Sequence, residues 1–409
     1  MTPPKAGVCR IMSPAKQSPS KNPDITFFLS RLGSGGIGRL HIHLIKGLRE
    51  KGLEVDLALG KLSGPYRKYL DFPGVYNIST THSLLGVLPF ALYLMRRRPK
   101  VVVCEKLRVN VVAQRAKRLA GSDCRIFASI HGPLTHKLEH EGLSEKKRQK
   151  KYALIRKWYP NNDGFIAVSR GIGEDLHHHF HIPKRKIHVI YNPVLAPEVM
   201  EKGQDAPTHP WFNPKANPVI LSVGRLEEQK GYPCLLESFL KVRQFVDCRL
   251  IILGEGSKRK ELQSIINKLG LQEHVSMPGF VSNPYPFMRC SDLFVLSSKW
   301  EGFGIVLVEA MAFGTPVVST DCPVGPGEIL EQGKLGKLVP VDDTEQMAKA
   351  IIETLRARPP SEPLIQAARK YTVERVAEAY LNVLGFGDTP GRSSNEDRHP
   401  LNLENTAGN

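Results

Sequence analysis

The sequence predicts an α/β protein made of two Rossmann-like parallel-sheet domains that face each other across a cleft. Short apolar, β-rich runs alternate with helical patterns through nearly all of the chain, the order that gives parallel sheets covered on both faces. The alternation comes as two series with a proline-rich stretch between them. A length of 409 residues exceeds one ordinary domain and suits two. With 41% apolar and 24% charged residues, the chain is neither fibrous nor wholly disordered.

The first series opens with Ile25–Ser30, a strand run closed by a Gly-rich turn, and a helix follows from about Leu40 to Lys51. Val55–Leu59 is the next strand. Leu84–Arg98 reads as a core helix, with Arg96, Arg97 and Arg98 at the end where the helix dipole favours cations. Val101–Cys104, Ile126–Ile130, Gly164–Val168 and Ile187–Ile190 are further strands, and Asn192-Pro193 closes the half. Residues 25–195 thus form the first domain. Ala196–Pro218 carries five prolines (Pro197, Pro207, Pro210, Pro214 and Pro218), so 196–217 is read as a linker.

The second series holds strands at Val219–Val223, Arg249–Leu253, Val275–Met277, Leu293–Leu296, Pro316–Ser319 and Lys337–Val339. Helices fall between them at about Pro233–Phe245, Lys258–Leu269, Ile305–Phe313 and Thr344–Leu355, giving a second domain over 218–363. A last helical stretch, 364–384, carries Val373, Val376, Ala377, Tyr380 and Leu384 near helical spacing. It is expected to cross back to the first domain. The polar ends, 1–24 and 385–409, are read as disordered and without chemistry.

Seven scattered cysteines with no C-x-x-C pair argue against a disulfide framework or zinc ribbon and for a reducing cytosol. No signal-peptide h-region is present, and the longest apolar run, Leu84–Met95, is too short for a bilayer, which needs about 18–20 residues.

In open parallel sheets, ligands sit at the carboxyl ends of strands. There the first turn holds Gly33, Gly35, Gly36 and Gly38, with Gly33, Gly35 and Gly38 meeting G-x-G-x-x-G. Together with Asp56 in the next strand this supports a dinucleotide-dependent oxidoreductase as one reading. In the second half, Arg225 and Lys230 stand five residues apart after a strand, where two cations can converge on one anion. Glu301 lies in a later loop, followed by Gly302, Phe303 and Gly304, and Glu309 sits in an otherwise apolar helix. Such a helix N-terminus admits a phosphate, a loop carboxylate accepts sugar hydroxyls, and a buried Glu needs a partner.

G-R-x-x-x-x-K-G from Gly224 to Gly231, followed by E-G-F-G-x-x-x-x-E from Glu301 to Glu309, resembles the signature of retaining glycosyltransferases of family 4. That family has the two-Rossmann GT-B fold. The likeness runs from about Pro218 to Val341 and takes in Pro278-Gly279-Phe280-Val281 and Gly314-Thr315-Pro316-Val317-Val318; it is looser over the first half. Asp321-Cys322-Pro323 to Gly327-Glu328-Ile329-Leu330 is similar to bacterial enzymes of polysaccharide, lipopolysaccharide and lipid-linked glycan assembly.

The resemblance implies a nucleotide-sugar donor, here UDP-linked, and a glycan or lipid-linked acceptor. Arg225 and Lys230 would bind the diphosphate, and Glu301 the hydroxyls of the transferred sugar. Gly302, Phe303 and Gly304 would supply backbone amides, Glu309 would bind the ribose, and the Phe280–Val281 backbone the base. From the opposite wall, Gly35 and Gly36 would approach the phosphates or acceptor, with His131 near the donor sugar and Ser169 facing the cleft. The chain has no D-x-D, so the two cations and the helix N-terminus are expected to neutralise the diphosphate with neither metal nor cofactor. A non-catalytic nucleotide-sugar- or glycan-binding relative is the other alternative, though it would be expected to have lost some of Arg225, Lys230, Glu301 and Glu309.

Charge is split unevenly. Residues 1–200 hold 34 basic and 14 acidic side chains, net +20, and residues 201–409 hold 23 and 26, net −3. The excess concentrates at Lys146, Lys147, Arg148, Lys150, Lys151, Arg156 and Lys157, beside an apolar stripe of Tyr152, Ile155 and Tyr159. An anionic membrane surface or acceptor phosphate suits this helix. Without an RNA- or DNA-binding motif, nucleic acid does not. The expected location is cytoplasmic, peripheral at the inner face of the cytoplasmic membrane.

Overall fold

Thirteen parallel strands form two sheets in the computed structural model of the protein, which describes residues 22–33, 36–63, 65–78, 85–140, 142 and 144–387. The first sheet contains β1 (Ile25–Leu29), β2 (Val55–Leu59), β3 (Val75–Asn77), β4 (Val101–Cys104), β5 (Arg125–Ile130), β6 (Gly164–Ala167) and β7 (Ile187–Val189), in the order β3-β2-β1-β4-β5-β6-β7. The second contains β8 (Val219–Val223), β9 (Arg249–Leu253), β10 (Val275–Gly279), β11 (Leu293–Leu296), β12 (Val317–Thr320) and β13 (Lys337–Val339), in the order β10-β9-β8-β11-β12-β13. The architecture is that of two Rossmann-like domains, the GT-B arrangement.

Helices on both faces explain the composition of the strands. β1, β2, β4 and β6 are buried along their full length, so they read as largely apolar runs and not as alternations, with Thr26 and Asp56 the buried polar exceptions in β1 and β2. Strand order reverses between β1 and β4 and between β8 and β11. These are the switch points where crevices open at the carboxyl ends of strands, and the two crevices face each other.

Between the sheets the chain is not structureless. Pro197–Lys202 is a short helix with Pro at its start, and Pro210–Phe212 is a single 3-10 turn. The end of the chain forms two helices, Glu362–Ala368 and Val373–Leu384, separated by the turn Arg369–Tyr371. The second lies against the helix Gly36–Glu50 of the first domain, where Val373 meets Gly47. Lys51 pairs with Glu378 at 2.7 Å, and Arg125 donates to the Leu384 carbonyl.

Two helices correct the sequence reading. The helix Val87–Arg97 buries Phe90, Ala91, Tyr93 and Leu94 against the first sheet but leaves its other side in solvent, so it is not a core helix throughout. The helix Glu145–Trp158 spends its apolar residues on its own domain. Ile155 is in the core, Tyr152 stacks on Phe180, and the Trp158 ring lies under the Arg115 and Arg118 guanidinium groups at 5.1 and 5.3 Å. Tyr159, just beyond it, is buried as well. The expected stripe is therefore unavailable to a membrane. The cations stay outside: Lys146, Lys147, Lys150, Arg156 and Lys157 are exposed, and Arg148 and Lys151 are half-buried.

Candidate functional site

The second domain's wall is built by the loops after β8 and β11. The chain leaves β8 at Gly224 and turns through the 3-10 segment Glu228–Lys230. This brings Lys230 to Glu301, where Nζ donates to Oε1 at 2.5 Å and the Ser298 hydroxyl donates to the same oxygen at 2.7 Å. Lys230 and Glu301 side chains are only 13% and 10% exposed, so the pair is held in place and sheltered from screening. Arg225 is exposed and bonds Gln229 at 3.2 Å, while Gln229 donates to the Trp300 carbonyl and so ties the two loops together. Phe280 is exposed and Val281 half-buried, both in the loop after β10.

Gly302 and Gly304 are required by geometry. A Cβ at Gly302 would collide with the His131 carbonyl oxygen of the opposite domain, and Gly304 has a φ of +104° as it starts the helix Ile305–Ala312. That helix carries Glu309, which is 2% exposed.

The first domain supplies the facing wall. His131 follows β5; its Nε2 lies 3.0 Å from the Ser129 hydroxyl and its ring 5.4 Å from that of His41. Burial holds the imidazole down to about 4, so it is neutral at neutral pH. Its Nδ1 is buried with no hydrogen-bond partner among the described residues. Ser169 caps the helix Arg170–Phe180 by accepting from the Ile172 N–H at 3.4 Å, and donates to the Gly302 carbonyl at 3.3 Å. Gly36 opens its helix within van der Waals reach of Ile305. Gly35 lies outside the described residues.

Two cross-domain contacts were not foreseen. Arg39, in the helix that follows the Gly-rich turn, forms an ion pair with Glu309. Its guanidinium carbon lies 5.5 Å from the centre of the Tyr285 ring. Burial raises the Glu309 carboxyl above the ordinary range, and the Arg39 charge opposes that rise. Glu328, in turn, accepts from the Arg170 N–H at 2.9 Å and the Tyr191 hydroxyl at 2.7 Å. A cation one residue past a Gly-rich turn was a readable signal for Arg39; nothing local singles out Tyr285 or Tyr191.

The fold thus gathers Lys230, Glu301, Gly302, Gly304, Glu309, His131 and Ser169 about one interdomain seam, with Arg225 on its exposed loop. Asp56 is not a ligand carboxylate. It is buried in β2, accepts from the Tyr93 hydroxyl at 2.8 Å and pairs with Arg97 at 3.0 Å, which removes a support of the oxidoreductase reading. Among the described residues no three or more His, Cys, Asp and Glu side chains converge as a metal ion would require.

A seam of this kind can hold an anion against Lys230 and hydroxyls against the buried carboxylates. Comparison with known proteins agrees with that chemistry. The family model described as Glycosyltransferase Family 4 matches residues 34–195, and that described as Glycosyl transferases group 1 matches residues 207–371. The lipopolysaccharide core biosynthesis glycosyltransferase LpsE of Rhizobium meliloti is 29% identical over 86% of this chain and 96% of its own length. The N-acetylgalactosamine-N,N'-diacetylbacillosaminyl-diphospho-undecaprenol 4-alpha-N-acetylgalactosaminyltransferase of Campylobacter jejuni is 34% identical over 48% of this chain; the match spans about half of that relative, 52%. Among solved structures, HepE of Anabaena in complex with UDP superposes with a TM-score of 0.70 at 20% identity, covering 88% of this chain and 99% of its own.

Proposed function

Because the chain belongs to the family 4 glycosyltransferases, we propose that it moves a hexose or N-acetylhexosamine from a nucleotide-sugar to a glycan or lipid-linked acceptor. UDP is the proposed carrier, and transfer proceeds with retention and without a metal. The acceptor is met at the inner face of the cytoplasmic membrane. The observation that carries the reading is the Lys230–Glu301–Ser298 cluster. It sets a fixed cation beside a buried carboxylate at the β8/β11 switch point, opposite His131.

In this reading Lys230 and Arg225 take the diphosphate and Glu301 the sugar hydroxyls. The amides of Gly302, Phe303 and Gly304 approach the phosphates at the helix N-terminus. The backbone of Phe280 and Val281 meets the base, and Glu309 receives the ribose diol once Arg39 yields it. Gly35 and Gly36 close on the donor from the first domain, with Ser169 on the same wall. The neutral His131 offers a hydrogen bond to the sugar without adding positive charge next to a developing oxocarbenium ion.

The acceptor oxygen attacks the anomeric carbon as its bond to the diphosphate breaks, and the departing phosphate oxygen takes the acceptor's proton. Cations placed for the charge on the leaving oxygen favour the transition state over the ground state. The names of the Rhizobium and Campylobacter relatives support a lipid-borne glycan acceptor, and the UDP bound to HepE makes UDP the first nucleotide to try.

Thermal-shift titration with UDP, GDP, ADP and NAD tests the reading. UDP is expected to stabilise the protein most. Stabilisation by NAD alone would overturn the transferase assignment, and stabilisation by GDP or ADP in place of UDP would overturn the carrier.

A further inference from the structure

The helix Val87–Arg97 turns Phe90, Ala91, Tyr93 and Leu94 into the first domain. Its opposite side shows Leu88, Leu92 and Met95 to solvent, at 61, 37 and 55% exposure, and Leu85, in the turn just before the helix, is 69% exposed. Positions 88, 92 and 95 recur at four- and three-residue steps, which places them in one helical stripe about 10 Å long, with Leu85 exposed in the turn before it. A contiguous apolar stripe on a surface otherwise rich in charge marks an interaction face. Arg96 and Arg98 are exposed beside its end, and Leu119 is exposed at 59% on the helix Leu107–Ala120 packed alongside.

We propose that this stripe is the face by which the protein lies on an anionic lipid bilayer. Among the described residues no helix is long and apolar enough to cross a membrane, so the contact is one of a helix lying in the interface. Such a helix needs buried apolar area together with cations for the lipid headgroups, and both are present here. The charge of the first 200 residues, net +20, draws this half to an anionic surface and opposes its pairing with a second copy. The stripe, three side chains on one side of one helix with Leu85 before it, also falls short of the roughly 800 Å² per partner of a stable protein interface.

Topology gives the contact a purpose. A helix between two parallel strands runs antiparallel to them, so its N-terminus lies at the carboxyl ends of the strands. The stripe therefore starts at the cleft end of the first domain and holds the cleft rim near the leaflet. This deepens the reading above and rests on it only for the acceptor that the membrane presents.

Flotation of the full chain with vesicles, at physiological salt, decides the matter. Vesicles of mixed phosphatidylglycerol and phosphatidylcholine are expected to carry the protein, and pure phosphatidylcholine vesicles are not. Leu88→Glu with Leu92→Glu should lower the bound fraction at least about tenfold, and Leu88→Ser with Leu92→Ser serves should the charged pair fail to fold. K146E/K147E/K150E should retain most of the binding. Undiminished flotation of both Leu88/Leu92 variants overturns the proposal, as does loss of binding in K146E/K147E/K150E. So does a vesicle-free dimer, seen by sedimentation, that Leu88→Ser with Leu92→Ser splits. A UDP thermal shift that survives in the Leu88/Leu92 variants shows their folding intact. If wild type shows no UDP shift, the donor reading fails while the flotation result stands.

Discussion

Arg39→Ala takes the cation away from a carboxylate whose side chain is 3% exposed, while Arg39 itself is 23% exposed. Breaking a fully buried pair by removing one partner costs about 3–5 kcal/mol, because the remaining charge is left desolvated. Glu309 has an escape, which is to take a proton. The cost of that escape sets a ceiling: from an ordinary value of 4.5, protonation costs about 1.4 kcal/mol per pH unit above it, so roughly 3.4 kcal/mol at pH 7 and roughly 0.7 at pH 5. The sign follows from proton linkage. Without Arg39 the folded carboxyl rises further above its unfolded value, the folded state binds the extra proton, and stability falls as pH rises. The deficit of Arg39→Ala relative to wild type should therefore widen from pH 5 to pH 7. With partial exposure of Arg39 lowering the figure to about 2 kcal/mol, the melting temperature at pH 7 should drop by roughly 4–8 °C. Arg39→Ala with Glu309→Gln should recover most of that loss, since no charge is left to bury. A deficit that stays flat across this pH range, together with additive single and double variants in the same melts, would refute the reasoning.

Other consequences concern the seam more directly. Lys230→Ala should lower kcat/KM for a UDP-sugar by roughly 10²–10³, measured by steady-state transfer. The neutral His131, held down to about 4, binds its proton less readily when folded than when unfolded. Its contribution to stability is intact above pH 6.5 and is lost as pH falls toward 4, by up to roughly 3 kcal/mol, so His131→Gln should flatten part of the acid limb of a melting-temperature profile. Glu328→Ala frees the Arg170 N–H and the Tyr191 hydroxyl and should cost about 1 kcal/mol, with a larger radius of gyration in small-angle scattering. EDTA should leave transfer unchanged; a loss restored by Mg²⁺ would move the diphosphate's neutralisation from Lys230 and Arg225 to a metal.

What was readable in the sequence, and what was not, follows from where each signal is generated. Strands buried on both faces, such as β4, declare themselves as apolar runs because a buried polar side chain needs a partner; β1 carries one, Thr26, bonded to the Tyr93 hydroxyl at 2.7 Å. β3 does not, being three residues at a sheet edge with Asn77 exposed. The helix Leu107–Ala120 is hidden for a different reason. Asn110 and Gln114 on its inner side are buried and bond Asn162 and the Trp158 carbonyl, so polar residues interrupt the apolar period that would reveal it. The site divides along the same line. Lys230 and Glu301 are 71 residues apart, but each is legible because it sits in a short motif of local spacing and both motifs lie on one domain. The partners of Glu309 and Glu328 stand on the other domain, at sequence separations of 270 and 158 residues, and no pattern within either half specifies them. Glu309 looked like a carboxylate in need of a ligand. It has a protein cation in that place, so if the ribose diol takes Glu309 as proposed, donor entry and release of the Arg39 contact between the domains must be one event.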